Sequence, residues 1–514
     1  MNTQTKGTII IFGIIKGFEG WFLPNQQDGF IWTEHNNTLG LAVRVRFIYP
    51  GAVWAYGISE GVRSDPFSPP LGLLYLASVL KSAGHDVTVT DFYAEPYTKR
   101  RLKEVLSDAE VVGMTLTSFT LKHSIPLAKS IKALAPGVPL IIGGPHVTLY
   151  PEKSLEMTLA DISVAGEAED IIVPIIKAVE EGGPTNPALK KIPGVTFRTK
   201  EGFVKGPEGF YVKDLDSLPL PERKLVENNQ YGYLLGTRVA KGRFTTIISS
   251  RGCPMRCRFC TRSAISMRKY RARSAQNVVF EVKEIAKAGY RSVMFVDDNF
   301  LANKRRAKKI LDGIIEADLG LEIFTQGRVD CVTEELFKTM KKAGVRVLLL
   351  GIESGNQDVL DFYDKRTTLE QVERCVRMAR KHGIITLGYF ILGAPIETEE
   401  HFQRSIDFAK SLPLDLAYFN QLELASGSPM WIEAVQKGII KEEDHLVFAG
   451  KDVGYGKVDS DEIFRWVKKA HRSYYGRLWW WLEHLVQAIK LRDMRVLRTI
   501  GHIALDLRHD VFES

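Results

Sequence analysis

The chain has 514 residues, 25% of them charged and 45% hydrophobic, with a formal charge of +8. These figures describe a globular protein with room for two or three cores, and exclude a disordered chain or a strongly basic nucleic-acid binder. Five cysteines, three of them clustered, exclude a disulfide framework and point to a reducing, cytoplasmic compartment.

Residues 1–44 are rich in glycine and aromatics without a steady period, and read as an extension ahead of the ordered chain. The run Thr8–Ile15 stops at Lys16 and lacks a basic n-region, so a signal peptide is not expected. No stretch reaches the roughly 18 to 20 apolar residues of a spanning helix.

From 45 to about 180 strands and helices alternate. Val43–Tyr49 has the alternation of a strand, Leu71–Leu80 reads as a helix stopped by Gly84, and Asp86–Asp91 as the next strand. Glu110–Thr115, Val138–Gly144 and Asp161–Gly166 are further strands, with a helix over Ser124–Leu134. Short β-rich runs joined by helical crossovers predict an α/β domain with a doubly wound, Rossmann-like parallel sheet. Its ligand would sit outside the carboxyl ends of the strands. Those ends carry Thr115, Thr117 and Ser118, then Gly143-Gly144-Pro-His146-Val-Thr148, then Gly166-Glu167-Ala-Glu169.

Residues 181–240, rich in Gly and Pro, read as a linker with a small hairpin over Gly194–Val204. The strand Thr245–Ser250 then runs into Arg251-Gly-Cys-Pro-Met-Arg-Cys-Arg-Phe-Cys260. Cys253, Cys257 and Cys260 supply three thiolates, one short of the four that normally hold a four-iron cluster, so one iron would keep an open position. A zinc site would close with a fourth Cys or His at short spacing. The next cysteines, Cys331 and Cys375, are far downstream and read as small packing residues, with a catalytic role for Cys331 the lesser alternative.

Strand-then-helix pairs continue through 241–440, with strands at Ser292–Asp297, Glu322–Gln326, Val345–Gly351, Ile384–Gly393 and Leu416–Asn420. With the first strand these make six, a partial (β/α)6 barrel of the TIM type whose site lies at the strands' carboxyl ends. Asp297 and Asp298, Gln326 and Arg328, Gly351–Gly355 and Gly393–Glu397 occupy those ends. Residues 441–514 form a helical tail with Trp479, Trp480 and Trp481 beside basic residues. Three tryptophans in a row cover most of a helix circumference, so they cannot all be core. The tail reads as a cap on the barrel, a lid over an apolar substrate, or a peripheral contact with a membrane surface.

The cysteine spacing, with Phe259 before the third thiol, resembles the radical S-adenosylmethionine (SAM) superfamily. The resemblance implies a 4Fe-4S cluster on Cys253, Cys257 and Cys260, SAM chelated to the open iron, and its reductive cleavage to a 5′-deoxyadenosyl radical. It places Glu353 and Ser354 near the ribose or methionyl group and Gly393 near the adenine. Asp297 and Gln326 would line the same mouth, Asp297 and Asp298 also as groups facing substrate. For Glu353 an ion pair with a nearby Lys or Arg is the competing structural role.

The helix start Pro69–Ala77, the Gly143–Thr148 stretch and the Gly166–Glu169 turn resemble the cobalamin-binding domain that precedes the radical SAM domain in one subfamily. Thr115, Ser118, Gly143, Gly144, His146, Gly166 and Glu167 would then serve cobalamin. One departure stands out, for no histidine lies between Tyr49 and Gly72 where many cobalamin domains carry their cobalt ligand. His123 and His146 remain, read as an exposed helical and a polar strand-end residue. The expected cofactors are a 4Fe-4S cluster, SAM and cobalamin. The expected function is methyl transfer to an unactivated carbon of a large hydrophobic small molecule, a tetrapyrrole pigment precursor or an isoprenoid lipid, with a reduced flavodoxin- or ferredoxin-type electron donor. Oxidative cyclisation or carbon–carbon coupling is the alternative within the superfamily, and a non-catalytic sensor the alternative outside it.

Overall fold

The computed structural model describes residues 42–50, 66–209, 211–234, 237–266 and 269–491, with scattered positions from 494 to 501. The extension read over 1–44 lies outside the described residues up to 41. The first sheet contains β1 (Arg44–Tyr49), β2 (Asp86–Asp91), β3 (Val111–Thr115), β4 (Leu140–Gly143), β5 (Ile162–Val164), β6 (Val195–Thr199) and β7 (Gly202–Lys205), in the order β2-β1-β3-β4-β5-β6-β7. β1 to β5 pair in parallel, as the sequence predicts. An order of 2-1-3-4-5 is doubly wound, and its crevice opens between the carboxyl ends of β1 and β3. A Cβ on Gly113 would stand 2.5 Å from the Phe47 ring, so glycine lets that ring lie across β3.

The predicted hairpin forms β6 and β7, and β6 adds antiparallel to β5. It therefore continues the sheet. The stretch after it is bonded to both sheets: Val212 N–H donates to Glu167 at 2.8 Å, Tyr231 O–H to Asp91 at 2.7 Å, and buried Arg223 to Thr245 at 3.1 Å.

After two short ladders, β8 (Tyr233–Leu234) with β9 (Thr237–Arg238) and β11 (Ser250–Arg251) with β12 (Arg271–Ala272), the second sheet is complete. It comprises β10 (Arg243–Ile247), β13 (Tyr290–Phe295), β14 (Glu322–Arg328), β15 (Val345–Glu353), β16 (Ile385–Leu392) and β17 (Leu416–Gln421), six parallel strands in chain order. The partial barrel is thus as expected. These strands are buried along most of their length because helices such as Ala275–Lys287 and Leu369–Lys381 cover them with faces like Val372, Cys375, Val376 and Ala379. Cys375 is one of those packing residues.

The open edge at β17 is closed by the helix Ser460–Tyr475. Tyr475 O–H donates to Ala417 O at 2.8 Å, and His471 Nε2 accepts from Phe419 N at 3.1 Å. Edge groups that would otherwise invite another strand are satisfied this way. In the following helix, Leu478–Leu491, Trp480 is buried and Trp479 is exposed, so the tryptophans divide as the sequence requires. Among the described residues no helix is long and apolar enough to cross a membrane.

Candidate active site

The cysteine loop leaves the carboxyl end of β10 and is gathered at its base by the β11–β12 ladder. Gly252 has φ +85°, and a Cβ there would meet Lys269 O at 2.1 Å, so only glycine fits the first turn. Two aspartates at the end of β13 brace it. Buried Asp297 accepts from Ser249 N at 3.1 Å, Ser249 Oγ at 2.7 Å and Ser250 Oγ, while Asp298 accepts from Gly252 N at 3.0 Å and pairs with Arg262 at 2.9 Å. Gln326 donates to Asp297 O at 2.6 Å. Asp297 and Gln326, expected at the ligand, spend these polar atoms on the frame around it. Burial raises the Asp297 pKa.

Cys253, Cys257 and Cys260 are half-buried thiols outside any disulfide. Burial raises the Cys253 thiol and pushes Cys260 up to about 11. Cations stand by: Arg328 Nη1 donates to Cys257 Sγ at 3.5 Å, and Arg262 lowers Cys260 electrostatically. Among the described residues no group of three or more His, Cys, Asp or Glu is gathered as for a single metal ion. The donor set of three thiols without a fourth instead fits a four-iron cluster with one iron open.

A strap over residues 362–366 grips this loop. Arg258 N donates to Tyr363 O at 3.0 Å, the Phe259 and Tyr363 rings meet at 5.1 Å, and Arg258 lies 4.3 Å over Phe362. Lys365 from the strap makes a buried ion pair with Glu353. The ion-pair role weighed for Glu353 is therefore present, and it coexists with a position at the end of β15 and a φ of +70°. That backbone is strained for a residue with a side chain. Ser354 is fully buried. Its Oγ lies 3.2 Å from Ser405 Oγ and accepts from Asn356 N at 3.2 Å, holding a turn. Gly393, φ +106°, and Ala394 donate to Glu397 Oε2 at 2.8 and 2.7 Å. The other oxygen of Glu397 is buried without a partner, and burial pushes this carboxyl up to about 8.

In the first domain a cavity of about 440 Å³ opens at the β1–β3 crevice, lined by Tyr75, Thr115, Gly143, Gly144, Gly166 and Glu167 among others. Gly144 has φ +102°, and a Cβ there would stand 2.4 Å from Thr115 Oγ1. Glycine there lets the turn after β4 pack against the end of β3, at the rim of a cavity whose Gly143, Gly144 and Gly166 suit the approach of a corrin. Ser118 and His146 are not in the lining. They bond each other at 3.0 Å, and the His146 ring packs 4.7 Å from His445, with its pKa lowered to about 3 by burial and by that neighbour. His123, expected on an exposed helix face, is buried, because the helix begins at Leu121 and turns His123 inward with Ser124 and Leu127. Among the described residues no histidine lines the cavity, in keeping with the missing ligand motif.

The cavity is roofed from the second domain by Ile248, Arg251 and Val296. Arg251 pairs with Glu169 at 2.6 Å and Glu167 at 3.2 Å, and Glu167 is also held by Arg271 at 2.6 Å. The sequence singled out the Gly-Glu-Ala-Glu turn but not its partners. Arg251 was visible inside the cysteine motif, whereas nothing in the pattern marks Lys365.

The Radical SAM superfamily matches residues 247–409 and the B12 binding domain residues 62–176. An uncharacterized methyltransferase of Pyrococcus horikoshii is 30% identical over 80% of this chain and 88% of its own length. The anaerobic magnesium-protoporphyrin IX monomethyl ester cyclase of Rubrivivax gelatinosus is 28% identical over 73% of this chain and 67% of its own. The radical SAM methyltransferase TsrM of Kitasatospora setae, solved with cobalamin and a 4Fe-4S cluster bound, superposes with a TM-score of 0.62 at 21% identity over 77% and 78% of the two chains. With a cobalamin-type crevice roofed by the arginine that opens a three-cysteine loop, this chain belongs to the cobalamin-dependent radical SAM enzymes, the family that includes these methyltransferases.

Proposed function

We propose that the enzyme transfers a methyl group from SAM to an unactivated carbon of a large hydrophobic small molecule, most simply a tetrapyrrole pigment precursor. The observation that carries this reading is the shared cleft: the first-domain cavity is roofed by Arg251, two residues before Cys253. When bound, the cluster and cobalamin supply one-electron cleavage of SAM and methyl donation.

The chain's own groups divide the task. Cys253, Cys257 and Cys260 hold the cluster, on a loop that Asp297, Asp298 and Gln326 keep in shape. Thr115, Gly143, Gly144, Gly166 and Glu167 receive the corrin, with Ser118 and His146 supporting the wall behind it. Glu353, kept in place by Lys365, and the Gly393 turn serve SAM, while Ser354 shapes the turn beside Glu353. Among the described residues no histidine lines the cavity, so cobalamin held there would receive no imidazole from this wall; imidazole donation stabilises higher oxidation states, and the bound group would be the easier to reduce. A flavodoxin- or ferredoxin-type donor supplies the electrons.

Anaerobic incubation of the reduced, reconstituted protein with SAM tests the reading. 5′-Deoxyadenosine, S-adenosylhomocysteine and a substrate one methyl heavier support it. Absence of 5′-deoxyadenosine sinks it. Oxidative ring closure, the second reading, is favoured by the likeness to the Rubrivivax cyclase. It would give 5′-deoxyadenosine with loss of hydrogen mass and no methyl gain.

A further inference from the structure

Arg328 lies at the end of β14 and is nine-tenths buried. Its guanidinium is fixed on every side. Nε and Nη2 fork onto the carboxylate of Asp330 at 3.0 and 3.1 Å, Nη2 also donates to Lys365 O on the strap, and Nη1 is left for Cys257 Sγ at 3.5 Å. Such a two-pronged carboxylate contact holds the planar group in one orientation. The other charges nearby are already matched: Lys365 by Glu353, and exposed Arg366 by Asp364 at 2.7 Å. Of the cluster cysteines, Cys257 thus has a permanent cation donating to its sulfur.

We propose that Arg328 is a positioning residue that sets the reduction potential of the cluster through Cys257, with Asp330 setting its strength. The proposal rests on the family assignment and on the three cysteines as cluster ligands. A charged N–H donor draws electron density from a ligating sulfur and favours the more negative, reduced state, and hydrogen bonds to cluster sulfurs are an established lever on potential. A buried guanidinium exerts this over a short distance in a poorly screened environment. Asp330 opposes it with a negative charge. The two residues should therefore act with opposite sign, which a purely structural role would not produce.

The test is an anaerobic dithionite titration of the reconstituted full-length protein, following the cluster by electron paramagnetic resonance and measuring iron in parallel. Arg328→Met should lower the ratio of reduced to oxidised cluster at the wild-type midpoint about tenfold, equivalent to about 59 mV for one electron. Arg328→Lys should recover part of the shift, and Asp330→Asn should move the midpoint the other way. An Arg328→Met protein with full iron and an unchanged midpoint overturns the proposal. If that variant takes up no iron, Asp330→Asn decides alone, and an unmoved or lowered midpoint overturns it. Wild-type protein without a four-iron signal would instead sink the family-based reading itself, and the proposal with it.

Discussion

Arg251 Nη2 stands 2.6 Å from Glu169 Oε1, joining the first residue of the cysteine motif to the last of the Gly-Glu-Ala-Glu turn. Carboxylate and guanidinium are both largely withdrawn from water, at 6% and 13% side-chain exposure. Through this contact the two sheets share one cleft. The cation also lies 5.6 Å over the Tyr75 ring on the helix Leu71–Ser82, so it is fixed from both walls of the cavity.

Glu169→Gln should loosen this roof. Breaking a buried pair on one side costs about 3–5 kcal/mol, and because Glu167 still holds Arg251 the loss here should be about 1–3 kcal/mol. Denaturant unfolding measures it, and corrinoid retention on gel filtration should fall alongside. A double-mutant cycle with Arg251→Gln isolates the pair from the rest of the network.

Gly144→Ala places a methyl 2.4 Å from Thr115 Oγ1 and 2.8 Å from Leu116 O at a φ of +102°. Strain and overpacking together should cost about 1–3 kcal/mol. The variant should lose the corrinoid absorption spectrum while keeping its iron, because the cysteine loop belongs to the other sheet. Loss of both cofactors together would refute this division.

Cys257→Ala should abolish iron uptake and 5′-deoxyadenosine formation with little change in fold. The thiol is only half-buried, and substitutions away from a core usually stay within about 0.5 kcal/mol. Iron analysis beside far-ultraviolet circular dichroism distinguishes the two effects.

Glu397 gives a pH dependence. Its carboxyl moves from an ordinary 4.5 up to about 8, chiefly through burial. The folded protein therefore binds more protons than the unfolded chain between those values, and stability should fall as pH rises from 4.5 through 8. Glu397→Gln cannot ionise yet can still accept from Gly393 and Ala394 through its carbonyl. Its Tm should fall less steeply with pH over that window, and an unchanged slope would show that another group titrates.

The parallel strands of both sheets were legible in the chain because each is a short β-rich run between helical stretches, several of which end in glycine. Leu71–Ser82, Asp86–Asp91 and Leu416–Gln421 lie where periodicity put them. The side of a helix that faces inward was harder. His123 reads as a polar helical residue, yet a helix start three positions earlier than expected turns it into the core.

Local spacing by itself determined the three thiols, the glycines at strand ends and the missing cobalt-ligating histidine, since each depends on residues close in sequence. Partnership did not follow from spacing. Arg251 with Glu169 is separated by 82 residues, Arg328 with Cys257 by 71, and Lys365 with Glu353 by 12 across a strap with left-handed turns at Asp364 and Arg366. Only the tertiary structure could decide these, because a charge leaves water for the interior only where folding brings its counter-charge to meet it.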